Sequence, residues 1–84
     1  MRSALSIGEF SRITHLSVKT LRHYHEAGLL QPDQVDRQNG YRYYATTQIA
    51  TAQVIRRLRD LEMPVPEVGQ VLATTDPDAM WIAD

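Results

Sequence analysis

The sequence predicts a mainly α domain, with four short helices and a two-stranded β-hairpin around one core. Three observations carry that expectation. Val18, Leu21 and His25 recur at helical spacing between a capping serine, Ser17, and Gly28, placed where helices commonly stop in a left-handed turn. Asn39-Gly40 followed by Tyr41-Arg42-Tyr43-Tyr44 marks a tight hairpin whose return strand sets an arginine among tyrosines. The chain has 84 residues, and a domain that small buries only ~60–65% of its unfolded surface. A single core follows.

Each element has its own signal. Ser6-Ile7-Gly8-Glu9 is a capping box that opens the first helix, which ends near Thr14-His15 with Phe10 and Ile13 on one face. Ser17 opens the second. Two short helices joined by a brief turn form a helix-turn-helix. Pro32 blocks further helix. Gln34-Val35-Asp36 and Tyr41-Arg42-Tyr43-Tyr44 then read as strands around Arg37-Gln38-Asn39-Gly40. Alternation puts Tyr41 and Tyr43 on one face and Arg42 and Tyr44 on the other, and at least one tyrosine belongs in the core. Thr46 or Thr47 starts the third helix, with Val54, Leu58 and Leu61 inward, Ile55 beside them, and Arg56 and Asp60 on the wet face. Met63-Pro64 ends it. Pro66 suits the first turn of a fourth helix, striped by Val68, Val71 and Leu72. Asp76-Pro77 reads as the start of one more helix, cut short.

Composition narrows the function. There are no cysteines, which excludes disulfides, thiolate metal sites and thiol catalysis within this segment. No apolar run is long enough for a signal peptide or a membrane span, so a cytoplasmic location is expected. The net charge of −1 hides an asymmetry. Residues 1–60 carry nine bases against five acids, a balance of +4, whereas residues 61–84 carry five acids and no base. Such a split signals a partner that the total conceals. His23 and His25 are two apart in a helix and diverge by about 200°, so they cannot share a metal ion. No nucleophile–base pairing and no phosphate-cradling loop appears, and an enzyme is not expected.

A helical wheel with Val18 and Leu21 inward points Lys19, Thr20 and His23 outward, with Arg22 and Tyr24 on the flanks. Such a helix can enter a groove, while a basic aromatic hairpin straddles the backbone beside it. That is how a winged helix-turn-helix grips DNA. A protein-interaction module using the fourth helix, or a stand-alone excisionase-like regulator, are the alternatives. The discriminator is whether Lys19, Arg22, Arg42 and Arg59 gather on one face.

Five segments, in order, resemble the N-terminal DNA-binding domain of MerR-family transcriptional regulators. They are Ile7-Gly8-Glu9, Ser17 to Tyr24, Gly28-Leu29-Leu30 with Pro32, Gly40 to Tyr44, and Arg57-Leu58-Arg59-Asp60-Leu61. The hairpin is most similar to the multidrug-responsive branch. The resemblance implies a DNA-binding domain over residues 1–75, with residues 76–84 opening a dimerisation (coiled-coil) helix. It implies a homodimer formed through a helix beyond Asp84, double-stranded promoter DNA, RNA polymerase at the same promoter, and a small-molecule effector held by a C-terminal domain. It implies no cofactor. Such a dimer distorts the operator so that badly spaced promoter elements become usable. By position, the resemblance assigns DNA contact to Arg22, His23, Tyr24, Tyr41, Arg42, Tyr43 and Arg59, and the outward face of the wheel and its cap add Lys19, Thr20 and Ser17 to the expected contacts. Arg42 is the wing arginine against phosphate. Two positions depart from the pattern. His23 stands where tyrosine is common, and His25 where aspartate is usual. The wheel turns His25 inward and gives it a packing role.

Overall fold

The computed structural model describes residues 4–74. The chain opens with a strand, β1 (Ala4–Ser6), that runs directly into α1 (Ile7–Thr14). Ser6 serves both elements. Its side chain accepts from the Glu9 amide at 3.2 Å, and the Glu9 carboxylate accepts from the Ser6 amide at 2.9 Å. The expected capping box is therefore complete. His15, at φ 62°, closes the helix in the left-handed region.

After the turn comes α2 (Val18–Glu26), capped by Ser17, which accepts from the Thr20 amide at 3.0 Å. Its end is a Schellman motif. Gly28, at φ 73°, donates to His25 O, and Leu29 donates to Tyr24 O. A side chain at Gly28 would strain that turn, so glycine fits the stop.

Two strands follow, β2 (Gln34–Val35) and β3 (Arg42–Ala45). Asp36 and Tyr41 close the loop between them, and Gly40 takes φ 73°. The last helices are α3 (Gln48–Asp60) and α4 (Val65–Thr74). Glu62 ends α3 at φ 65°, donating to Arg59 O, while Met63 donates to Leu58 O. This is a second Schellman closure, with glutamate in the position that favours glycine.

The wing differs from the expected pair of strands. It is a three-stranded antiparallel sheet in the order β1-β3-β2. Ala4, Leu5 and Ser6 pair with Ala45, Tyr44 and Tyr43, and Gln34 and Val35 pair with Tyr43 and Arg42. Nothing local in Ala-Leu-Ser marks a strand. Its extended form comes from pairing with a segment about forty residues away, a tertiary effect that propensity does not register.

The core is formed by Phe10, Leu16, Leu21, Tyr24, Leu30, Tyr44, Ala52, Ile55 and Val68. Tyr44 stacks on Phe10 with centroids 4.3 Å apart and planes 8° from parallel. It is the wing tyrosine that the core requires. Two inward faces were placed differently by the sequence. In α1, Ile13 is exposed and Thr14 is buried, with its hydroxyl donating to Phe10 O at 2.8 Å. That bond removes the polar cost of burying a threonine. In α3 the buried stripe runs through Ala52 and Ile55, flanked by Ile49 and Leu58. Val54 is exposed, and Leu61 is 77% exposed. No side-chain cap from Thr47 forms. Gln48 instead accepts from the Ala45 amide at 2.8 Å and donates to Gln31 O at 2.6 Å, tying strand, loop and helix together. The segment after Thr74, with Asp76-Pro77, lies outside the described residues.

Candidate nucleic-acid interface

The exposed side of α2 carries the residues that the wheel turned outward. Lys19, Arg22 and His23 are exposed, and Thr20 is half-buried. Leu21 and Tyr24 anchor the opposite side, with Tyr24 only 5% exposed. Tyr24 was expected at the DNA surface. It lies three residues after Leu21, on the same helical stripe, and its ring belongs to the core. What remains accessible lines a cleft with Lys19, Thr20, His23, Arg59 and Val65.

That cleft, of about 430 Å³, is one of two that flank the helix. The other, about 240 Å³, lies between helix and wing and is lined by Ser6, Ile7, Arg22, Gly40, Tyr41, Arg42 and Tyr43. Each cleft thus brings a cation from α2 together with a cation from elsewhere. Lys19 meets Arg59 of α3, and Arg22 meets Arg42 of β3. Lys19 and Arg59 lie forty residues apart in sequence and Arg22 and Arg42 twenty, and both pairs become neighbours only through the fold.

Several of these groups are already held. Ser17 donates to Thr20 Oγ1 at 2.8 Å while accepting the Thr20 amide, so its hydroxyl is engaged in the cap. Arg59 Nη1 donates to Met63 O at 2.6 Å, which fixes the guanidinium at the end of α3. Arg42 Nε donates to His25 Nδ1 at 2.9 Å. The sequence put His25 inward for packing. It is half-buried, and its imidazole also accepts from the wing arginine, a polar role that the wheel did not suggest. No local spacing reveals a bond between residues 17 apart. Tyr41 is 63% exposed at the wing's edge, and Tyr43 is half-buried beside it. Burial pushes the Tyr44 phenol above its ordinary range, and the nearby Arg42 charge partly opposes this. Among the described residues, no cluster of ligating side chains is arranged for a metal ion, and no helix is long and apolar enough to cross a membrane.

A capped helix presented between two cationic clefts, with a basic hairpin at its side, defines a winged helix-turn-helix of the nucleic-acid-binding class. The chain belongs to the MerR family. The family described as MerR HTH family regulatory protein matches residues 5–75. Over 78 residues it is 36% identical to the multidrug-efflux transporter 2 regulator of Bacillus subtilis, covering 93% of this chain and 28% of that one. Over 67 residues it is 42% identical to the transcriptional regulator BrlR of Pseudomonas aeruginosa, covering 80% and 25%. The chain therefore spans little more than a quarter of these relatives. The structure of EcmrR bound to DNA within EcmrR-RPo is similar at 38% identity and a TM-score of 0.74, covering 86% of this chain and 26% of that one. A MerR-family regulator from Bacillus cereus shares the fold with a TM-score of 0.76 at 24% identity, covering 95% and 59%.

Proposed function

We propose that this chain is the DNA-binding unit of a MerR-type transcription regulator of the multidrug-responsive kind. The observation that carries the reading is the pairing of cations on both sides of α2, Arg22 with Arg42 and Lys19 with Arg59. A helix lying in the major groove has a phosphate backbone along each flank. Cations placed there neutralise phosphates and fix register, while outward side chains of the helix reach base edges. In this reading Lys19, Thr20 and His23 are the readers. Arg22, Arg42 and Arg59 grip the backbone, with Tyr41 and Tyr43 packed beside it. Ser17 and Tyr24 support the helix from its start and its buried side.

The reading extends beyond this segment. Residues 1–75 bind DNA, and two copies pair through the segment that follows. A small-molecule effector bound by a C-terminal domain shifts the dimer, which bends and untwists the operator so that RNA polymerase can use the promoter. The protein works by binding rather than catalysis, in the cytoplasm at the nucleoid. Support comes from the family match and from a relative solved on DNA.

Footprinting on the promoter beside the protein's own gene tests this. Protection of a palindromic site, with hypersensitivity at its centre, is the expected result. Protection that does not depend on sequence would reduce the reading to general DNA affinity.

A further inference from the structure

The wing arginine is tethered before it meets any ligand. Arg42 Nε donates to His25 Nδ1 at 2.9 Å, across from β3 to the last turn of α2. An imidazole nitrogen accepts only when it carries a lone pair, so His25 is neutral here, with its proton on Nε2. One of the five guanidinium hydrogens is taken, which leaves the four on the Nη atoms for an anion. The post itself is rigid, because the Schellman closure at Gly28 fixes the backbone around His25 O.

We infer that His25 is a positioning residue. It holds the Arg42 fork in a preset orientation and adds a pH-sensitive release to the wing. The inference rests on the reading of Arg42 as a phosphate grip. A free arginine loses rotamer freedom when it is ordered. A tethered one has already lost part of that, so an anion binds it more tightly. Protonation removes the acceptor and sets an imidazolium against the guanidinium. The link then opens, and the wing loses its aim. The charged and titratable side chains on the elements concerned are Lys19, Arg22, His23 and Glu26 on α2 and Arg42 on β3, with Glu9 and Arg12 on α1 and Arg56, Arg57, Arg59 and Asp60 on α3, which packs against β3. Glu9 is engaged at the Ser6 amide. The bond to His25 Nδ1 comes from Arg42.

The test uses the 84-residue chain, a fluorescein-labelled random-sequence duplex, and the side-chain Nε–H resonance of Arg42. His25→Leu removes the acceptor. His25→Asn places a carbonyl oxygen near the Nδ1 position and does not titrate. Without DNA, the Nε–H should exchange slowly in the parent and in His25→Asn and quickly in His25→Leu; rapid exchange in the parent overturns the tether. With DNA, His25→Leu should weaken binding by about three- to tenfold, the worth of one hydrogen bond. His25→Asn should stay near the parent, and in an Arg42→Ala background the His25→Leu loss should vanish. A loss that persists there means that His25 acts elsewhere, and the inference is wrong. Lowering the pH from about 8 to about 5.5 should weaken the parent relative to His25→Asn. Equal pH profiles would refute the release and need no folding of His25→Leu. If the parent binds no duplex, the DNA reading fails, while Nε–H exchange still decides whether His25 holds Arg42.

Discussion

Replacing Tyr44 by phenylalanine should make this protein more stable. The residue is fully buried, and its ring stacks on Phe10 at 4.3 Å. Its hydroxyl, however, has no hydrogen-bond partner. An unpaired buried donor costs about 1–3 kcal/mol, because water no longer satisfies it. Removing the oxygen keeps the stack and relieves that cost. It leaves a void of about 12 Å³, which at roughly 24 cal/mol per Å³ costs only about 0.3 kcal/mol. The net gain is about 1 kcal/mol or more, and each kcal/mol raises the melting temperature by roughly 4–8 °C in a domain of this size. Thermal and urea unfolding of both proteins measure it. The phenol adds a second signature. Burial raises its folded-state pKa above the ordinary 10.0, against a smaller opposing effect of Arg42. The native state then holds its proton where the unfolded chain releases it. Stability from this group is complete below pH 10 and declines as pH rises toward the folded pKa. Tyr44→Phe should lack that alkaline decline. A variant less stable than the parent would refute the reasoning, since it would mean that a buried water already satisfies the hydroxyl.

Other substitutions probe the interface and the caps. Arg42→Ala should weaken operator and random DNA alike and lower the slope of log affinity against log salt by about one unit; a loss confined to the operator would mean that Arg42 reads bases. Lys19→Ala and His23→Phe should instead shift the operator-to-random ratio, by about 1–3 kcal/mol for each lost base contact; an unchanged ratio in competition titrations would move specificity to DNA shape. Glu62→Gly relieves a left-handed glutamate and should raise stability by about 1 kcal/mol in urea unfolding. Ser6→Ala should cost about 1 kcal/mol by breaking the capping box, with a drop in helicity on warming.

Local chemistry made much of this molecule legible. Ser6 with Glu9, Ser17 and Gly28 each act on backbone within four residues, and each bounds the helix that it was expected to bound. A buried wing tyrosine was expected, but alternation along the strand did not single out Tyr44. The misplacements share a different cause. Leu61 looks like core until Leu58 and Met63 turn the chain outward, and Ile13 gives way to Thr14 because the threonine hydroxyl finds Phe10 O. β1 was invisible because pairing with β3, and not its composition, makes it a strand. At the interface, the outward set Lys19, Thr20 and His23 was readable from angle alone. The partnership of Arg42 with His25 was not, since it depends on how a wing folds back on a helix.

The β1–β3 pairing also gives the protein an order of assembly. Ala4 meets Ala45, so the outer edge of the wing closes a loop of about forty residues, whereas β2 meets β3 across a short hairpin. Loop entropy grows with the logarithm of length, and the longer closure costs about 1.5–2 kcal/mol more. During synthesis the first strand must therefore wait, with α1 and α2 already emerged, until Ala45 clears the ribosome. The reading helix can form early, but the wing that aims Arg42 is finished late. A nascent chain caught between those moments has a recognition surface without its grip, and anything fused tightly to residue 4 would prolong that interval.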